Sequence, residues 1–365
     1  MRALRPFRPA DVRRQVLVQH VALSPDGEWA AYSRRTIERG EYRTRLWRVP
    51  LGRGRPEQLT FADANDLRPA ISPGGDELVF LSDRSERLQP WVLPLGGGEP
   101  RQAAELDGAV ASAHWSPDGR NLLLLAPSGE DRFIVGDRNE PLARRIRDLT
   151  WRLDGYGIRD QFTSAWKVPT RGGRPQRLTA AGHEVTDAAW DRDGKRIAFL
   201  ADFREEAGVI EFPQAYSLPA GGGRPRPLAS LRGYIVSLAV SPGRRVALVG
   251  VDHADPVGWE NANLYVVERG RARQLGAALD RPLGNRTFTD LIDLSDLFVP
   301  RVLWLDEETL VALVADRGGC RPFRFPLEGE PEPLLDDMAV VCASLAVGGG
   351  RIAVVAAEPG SAGEV

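Results

Sequence analysis

The sequence is poor in several things at once. Its 365 residues include only two cysteines, Cys320 and Cys342, so no disulfide framework can hold it together. Lysine is nearly absent: Lys167 and Lys195 are the only two among 48 basic residues, and the arginines are scattered through every segment. Against 50 acidic residues this leaves a formal net charge of -2, with no one-signed stretch able to track a phosphate backbone, which argues against nucleic acid as a partner. No apolar run approaches the ~18 residues of a membrane span, and the arginine-bearing start has no apolar segment of signal-peptide length. The expectation is a soluble cytoplasmic protein without membrane association.

Catalytic signatures are missing too. No GxSxG elbow, HExxH, CxxC pair, P-loop or dinucleotide fingerprint occurs. The triplets Gly96 to Gly98 and Gly221 to Gly223 lie between strand-like segments instead of opening a helix, which makes them turns and not phosphate cradles. The four histidines, His20, His114, His183 and His253, have no His or Cys partner at metal-ligand spacing. His20 and His114 fall in strand-like segments, where a packed imidazole is the ordinary explanation. No catalytic, cofactor or metal residue is therefore assigned.

What the chain has instead is a repeat. Ser24-Pro25-Asp26-Gly27 precedes a strand-like run, and the same grammar returns as SPGG (72–75), SPDG (116–119), DRDG (191–194), SPGRR (241–245), LDEE (305–308) and VGGG (347–350). Proline presets the first dihedral of each turn, and Asp-Gly supplies a cap and a positive-φ position. That explains Asp26, Asp118 and Asp193 without a calcium ring. A second signature follows most turns, as in LWRVPLGRGRPEQLT (46–60), PWVLPLGGGEPRQAA (90–104) and AWKVPTRGGRPQRLT (165–179): an aromatic-led strand, a Gly-rich turn and a polar strand. The turns are 48, 44, 75, 50, 64 and 42 residues apart. Four antiparallel strands at about this period predict an all-β, seven-bladed β-propeller of four-stranded blades over 16–365, behind a short N-terminal extension, 1–15. The last blade is expected to be incomplete, because the aromatic strand is missing after the run ending at Ala357.

The two long spacings mark insertions. One lies between Leu125 and Ala165 and reads as an extra hairpin around Asp154-Gly155; the other is ALDRPLGNRTFTDLIDLSDLFVP (278–300). The first carries Arg147, Trp151, Arg152 and Arg159, an arginine and tryptophan cluster suited to holding a carboxylate or stacking on a ligand. These four are the candidate substrate-contact residues. Cys320 and Cys342 fall in strands of neighbouring units and are expected to be buried thiols.

Together these units resemble the propellers of the prolyl oligopeptidase family of serine peptidases, its acylaminoacyl-peptidase branch above all, with ARRIRDLTWRLDGYGIRDQFTSAWKVPTRGGRPQRLT (143–179) the most specific stretch. The resemblance implies a noncatalytic ring that caps the active site of a C-terminal α/β-hydrolase domain, which this chain lacks. It also implies a filter that admits short peptide substrates by size. The Ser, Asp and His of the family have no counterpart here. A homo-oligomer is compatible with this reading. The alternative is a stand-alone TolB-like propeller acting as an interaction module.

Overall fold

The computed structural model describes residues 6, 8–129, 132–137, 140–153, 157–256, 260–287, 300–358 and 361–365. Among them no helix is long and apolar enough to cross a membrane. Helical structure is limited to short 3-10 turns such as Pro9–Arg14, which opens with proline at its first position and is closed by Arg8 N donating to Asp11 Oδ2 at 2.8 Å.

Everything else of substance is antiparallel sheet. The first sheet runs Leu17–Leu23, Trp29–Glu38, Glu41–Pro50 and Glu57–Gln58, each strand beside its predecessor. The second (Asp66–Ile71 through Arg101–Gln102), fourth (Val185–Trp190 through Arg226–Ala229) and fifth (Ile235–Val240 through Arg271–Leu275) repeat that order. The third is built from Ser112–Trp115, Asn121–Ser128, Phe162–Pro169 and Gln176–Arg177, with the first insertion between its second and third strands. The sixth holds seven strands, because Gly319–Pro326 meets Val341–Gly348 through a single parallel bridge, Cys320 to Val341. Beyond the two strands expected at its end, Ser361–Glu364 pairs back on Arg351–Glu358. The sequence hid this strand because it has no aromatic lead.

The Ser-Pro turns work through one side chain. Ser24 Oγ donates to Asp26 Oδ1 at 2.6 Å and accepts the N–H groups of Glu28 and Trp29 at 3.1 Å each, while Gly27 N closes the turn on Ser24 O at 2.9 Å. Ser72 and Ser116 repeat the bonds to a turn carboxylate and to the returning strand. In each turn the glycine sits at positive φ, +72° at Gly27, +75° at Gly75 and +69° at Gly119. These glycines also face a neighbour: a Cβ on Gly75, Gly119 or Gly194 would lie 3.8, 3.9 or 3.6 Å from Cδ of Pro25, Pro73 or Pro117, so each turn leans on the one before it.

The middle strands are apolar on both faces, as in Leu122–Leu125, which is buried throughout. Each sheet consequently shares an apolar seam with the next. Ala31, Leu46, Leu78 and Phe80 join first to second, and Val79, Leu81, Leu122 and Leu124 join second to third. The series continues to Val18, Val21, Ala346 and Val355, which join the end of the chain to its beginning. Indole donors reinforce these seams: Trp115 Nε1 reaches Ala70 O at 2.9 Å, Trp190 reaches His114 O at 3.2 Å and Trp304 reaches Ala239 O at 3.3 Å. All three acceptors are the penultimate residue of the preceding sheet's first strand, so Trp115 and Trp190 join neighbouring sheets both by packing and by a hydrogen bond.

Among the described residues, no sheet mixes strands from the two ends of the chain. Closure rests on packing, on Val21 N donating to Ser344 Oγ at 3.1 Å, and on close backbone approach: a Cβ at Gly349 would meet Asp26 C and O at 2.4 Å. Gly349→Ala, which also forces alanine to φ +55°, should destabilise the ring by about 2 kcal/mol or more in urea unfolding. An unchanged midpoint would show that the last turn does not seal the ring.

Candidate functional site

The first strands of the first, second and third sheets, with Val341–Gly348 of the sixth, border a common centre, and several strands that open a repeat carry a β-bulge against the strand that follows. Register breaks between Gln19 and Ala22, between Leu67 and Ala70, between Val185 and Asp187, between Ile235 and Ser237, and between Cys342 and Ser344. An extra residue at a bulge turns a side chain out of its sheet. At two bulges the turned residue is large and polar and adopts a left-handed backbone, His20 at φ +48° and Arg68 at φ +54°.

Both line a central cavity of about 130 Å³. Ser112 and His114 of the third sheet, Arg301 and Ser344 of the sixth, and Asn285 of the connection leading into the sixth complete its polar lining. Asn285 and Pro300 of the second insertion and Arg301 just after it border the cavity, as do Ala70 and His114 near the turn ends of their strands.

Electrostatics follow from this crowding of cations. Burial, then Arg301 and Arg68, hold the His114 imidazole down at about 4. Asp187 lies close enough to Arg301 to feel its charge. Its carboxyl is pushed up by burial, although the N–H groups of Leu238 and Ala188 donate to it at 2.9 Å each. Among the described residues no group of three or more His, Cys, Asp or Glu could hold a metal ion.

Of the candidate residues of the first insertion, Trp151, Arg152 and Arg159 are brought together by a small hairpin, in which Arg159 N donates to Trp151 O at 2.8 Å and Arg152 pairs with Ile158. The insertion's strands make two small two-stranded sheets, Ile134–Gly136 with Pro141–Arg144 and Arg152–Leu153 with Gly157–Ile158; the Asp154-Gly155 turn lies outside the described residues. Arg147 and Arg152 are exposed, and Trp151 is half-buried. Arg159 is buried, its guanidinium 3.0 Å from Glu211 and 3.3 Å from Glu184. Burial opposes its charge, but the two carboxylates outweigh it and its pKa is raised. Glu184 also accepts Thr163 N at 2.8 Å, and Leu149 N donates to Gly208 O at 2.7 Å. The insertion is thus fastened to the fourth sheet's loop. Cys320 and Cys342 are free and buried, and burial raises the Cys342 thiol to about 12.

Two measurements follow. Arg159→Ala leaves two carboxylates without their cation, which should cost about 3 kcal/mol and expose 129–161 to limited proteolysis; an unaltered digest and midpoint would show the fastening to be dispensable. For His114, the unfolded imidazole titrates near 6.5 and the folded one at about 4. Between those values the unfolded chain binds the extra proton, so the contribution of His114 is complete above about pH 6.5 and falls as pH drops toward 4. Asp187, with its pKa raised, acts in the opposite sense, so His114→Asn is the reference. The unsubstituted chain should lose more stability from about pH 7 to about pH 4.5 than His114→Asn does, and parallel losses would refute the assignment.

No family model matches the chain. An uncharacterized peptidase of Bacillus subtilis, YuxL, is 27% identical over 205 residues, 53% of this chain and 31% of that protein. Among solved structures, the acylaminoacyl peptidase of Pyrococcus horikoshii superposes with a TM-score of 0.73 at 16% identity, over 97% of this chain and 51% of that one. A puromycin hydrolase gives 0.68 at 18% identity, over 97% and 52%. The β-propeller domain of the trilobed protease of Pyrococcus furiosus, described as having an open velcro topology, gives 0.65 at 14% identity, over 96% and 94%. The chain therefore spans about half the length of the two whole enzymes and nearly all of the isolated propeller domain. In fold, it is a β-propeller similar to those of acylaminoacyl peptidases and their peptidase relatives.

Proposed function

We propose that this chain is the seven-bladed, noncatalytic propeller of a prolyl-oligopeptidase-type serine peptidase of the acylaminoacyl-peptidase kind. In this reading it caps the active site of an α/β-hydrolase domain and admits short peptides while excluding folded proteins. One observation carries the reading: the chain matches an isolated peptidase propeller nearly end to end, yet only about half of each whole enzyme. The blade count follows from dividing the seven-stranded sheet at its single bridge, which makes a four-stranded sixth blade and a three-stranded seventh.

The ring suits a filter physically. Its seams make a rigid wall, and the cavity at its centre is narrow on the scale of a folded domain. A closed cap of this kind also keeps bulk water from the reacting centre. In this reading Arg147 and Arg152, exposed on the insertion, belong to the surface an arriving peptide meets.

The test compares this chain with the product of its uninterrupted reading frame on acylated peptides of increasing length. The longer product should cleave short peptides and spare folded proteins, and this chain alone should cleave neither. Hydrolysis by this chain alone, or equal cleavage of folded proteins and short peptides by the longer product, would overturn the proposal.

A further inference from the structure

We infer that the central cavity is a carboxylate-binding site, in which Asn285, Arg68 and Arg301 receive the C-terminal carboxylate of a short peptide. The inference rests on the reading of the ring as a peptide filter and names what the ring recognises. Every titratable side chain among the described lining residues is a base: His20, Arg68, His114 and Arg301.

Asn285 is built to donate. It is only 5% exposed, and its Oδ1 is occupied by Thr287 N at 2.8 Å and Thr287 Oγ1 at 2.5 Å. That pair fixes the amide orientation and leaves Nδ2, buried on a residue that lines the cavity, with no hydrogen-bond partner. A buried donor without an acceptor costs about 1–3 kcal/mol, so it is retained where a ligand supplies the acceptor. Ser112 Oγ, on the innermost strand of the third sheet, is likewise buried without a partner and lines the same cavity.

The guanidiniums supply the charge. Arg68 reaches the cavity because the bulge holds it at φ +54°, a backbone state costing arginine on the order of 1 kcal/mol or more, and its Nη1 also donates to Ala111 O at 3.5 Å. Arg301 enters from the first residues leading into the sixth sheet. That both act on one point is independently visible in His114, whose protonation each of them disfavours. Asp187, which also feels the charge of Arg301, is bound by two backbone N–H groups and lies outside the lining. A peptide carboxylate has the size and the two oxygens to accept from the Asn285 amide while it faces the two guanidiniums.

The test is calorimetric titration of this chain, with no hydrolase domain present, against acetyl-alanyl-alanine, its C-terminal amide and inorganic phosphate. The free carboxylate should bind at least about tenfold more tightly than the amide, and Asn285→Asp and Arg68→Ala should each weaken it at least about tenfold. Arg324→Ala, whose partner is Glu332 on an outer strand, should leave binding unchanged, and matching circular dichroism of all variants shows that they fold. Equal affinity for acid and amide, no detectable binding of the acid, or retained binding in both cavity variants would overturn the inference. Phosphate binding as tight as the peptide would overturn the assignment to peptide. Because the titration needs no catalysis, its failure is distinguishable from failure of the peptidase reading.

Discussion

A four-stranded sheet whose middle strands are apolar on both faces cannot hide itself. Leu122 to Leu125 make the point: alternate side chains point to opposite faces, and all four are buried. Each face must therefore be covered by another sheet of the same kind, and the covering sheet exposes the same need on its far side. The series ends only when the last sheet meets the first, so the closed ring follows from burial and not from a special closing element. Turn stacking and indole hydrogen bonds set the angle between neighbours, while the seams supply the free energy.

That constraint explains where chemistry can reside. The faces of the sheets are consumed by packing, so polar residues with a purpose are confined to the innermost strands and to loops. The bulges serve the first location by rotating His20 and Arg68 out of the ladder and into the centre. The insertion serves the second, and Arg159 is spent on holding it in place between Glu184 and Glu211.

The turns were legible in the sequence because their bonds are local: Ser24, Asp26 and Glu28 lie within five positions of one another, and a short pattern carries the whole interaction. The four-strand rhythm was legible for the same reason. The polar centre was not. Nothing adjacent to His20 or Arg68 in sequence announces a bulge, which is a mismatch between two strands and belongs to neither alone. The pairing of Arg159 with Glu184 and Glu211 spans 25 and 52 positions, so the residue read as surface-directed is turned inward by partners that composition cannot locate. His114 reads in sequence as an ordinary packed histidine; in the structure it is buried within the fields of two guanidiniums contributed by other sheets.

Closure without shared strands has a temporal consequence. Each of the first five sheets takes all its strands from one uninterrupted stretch of chain, so each can pair as soon as that stretch leaves the ribosome, without waiting for the far terminus. Growth resembles the lengthening of a repeat array, where each unit docks on its predecessor. Only the seam of Val18, Val21, Ala346 and Val355 must wait for the strands at 341–358 to be made. Until then the nascent chain carries one open apolar face at each end of a growing arc, the surface a chaperone would be called upon to shield.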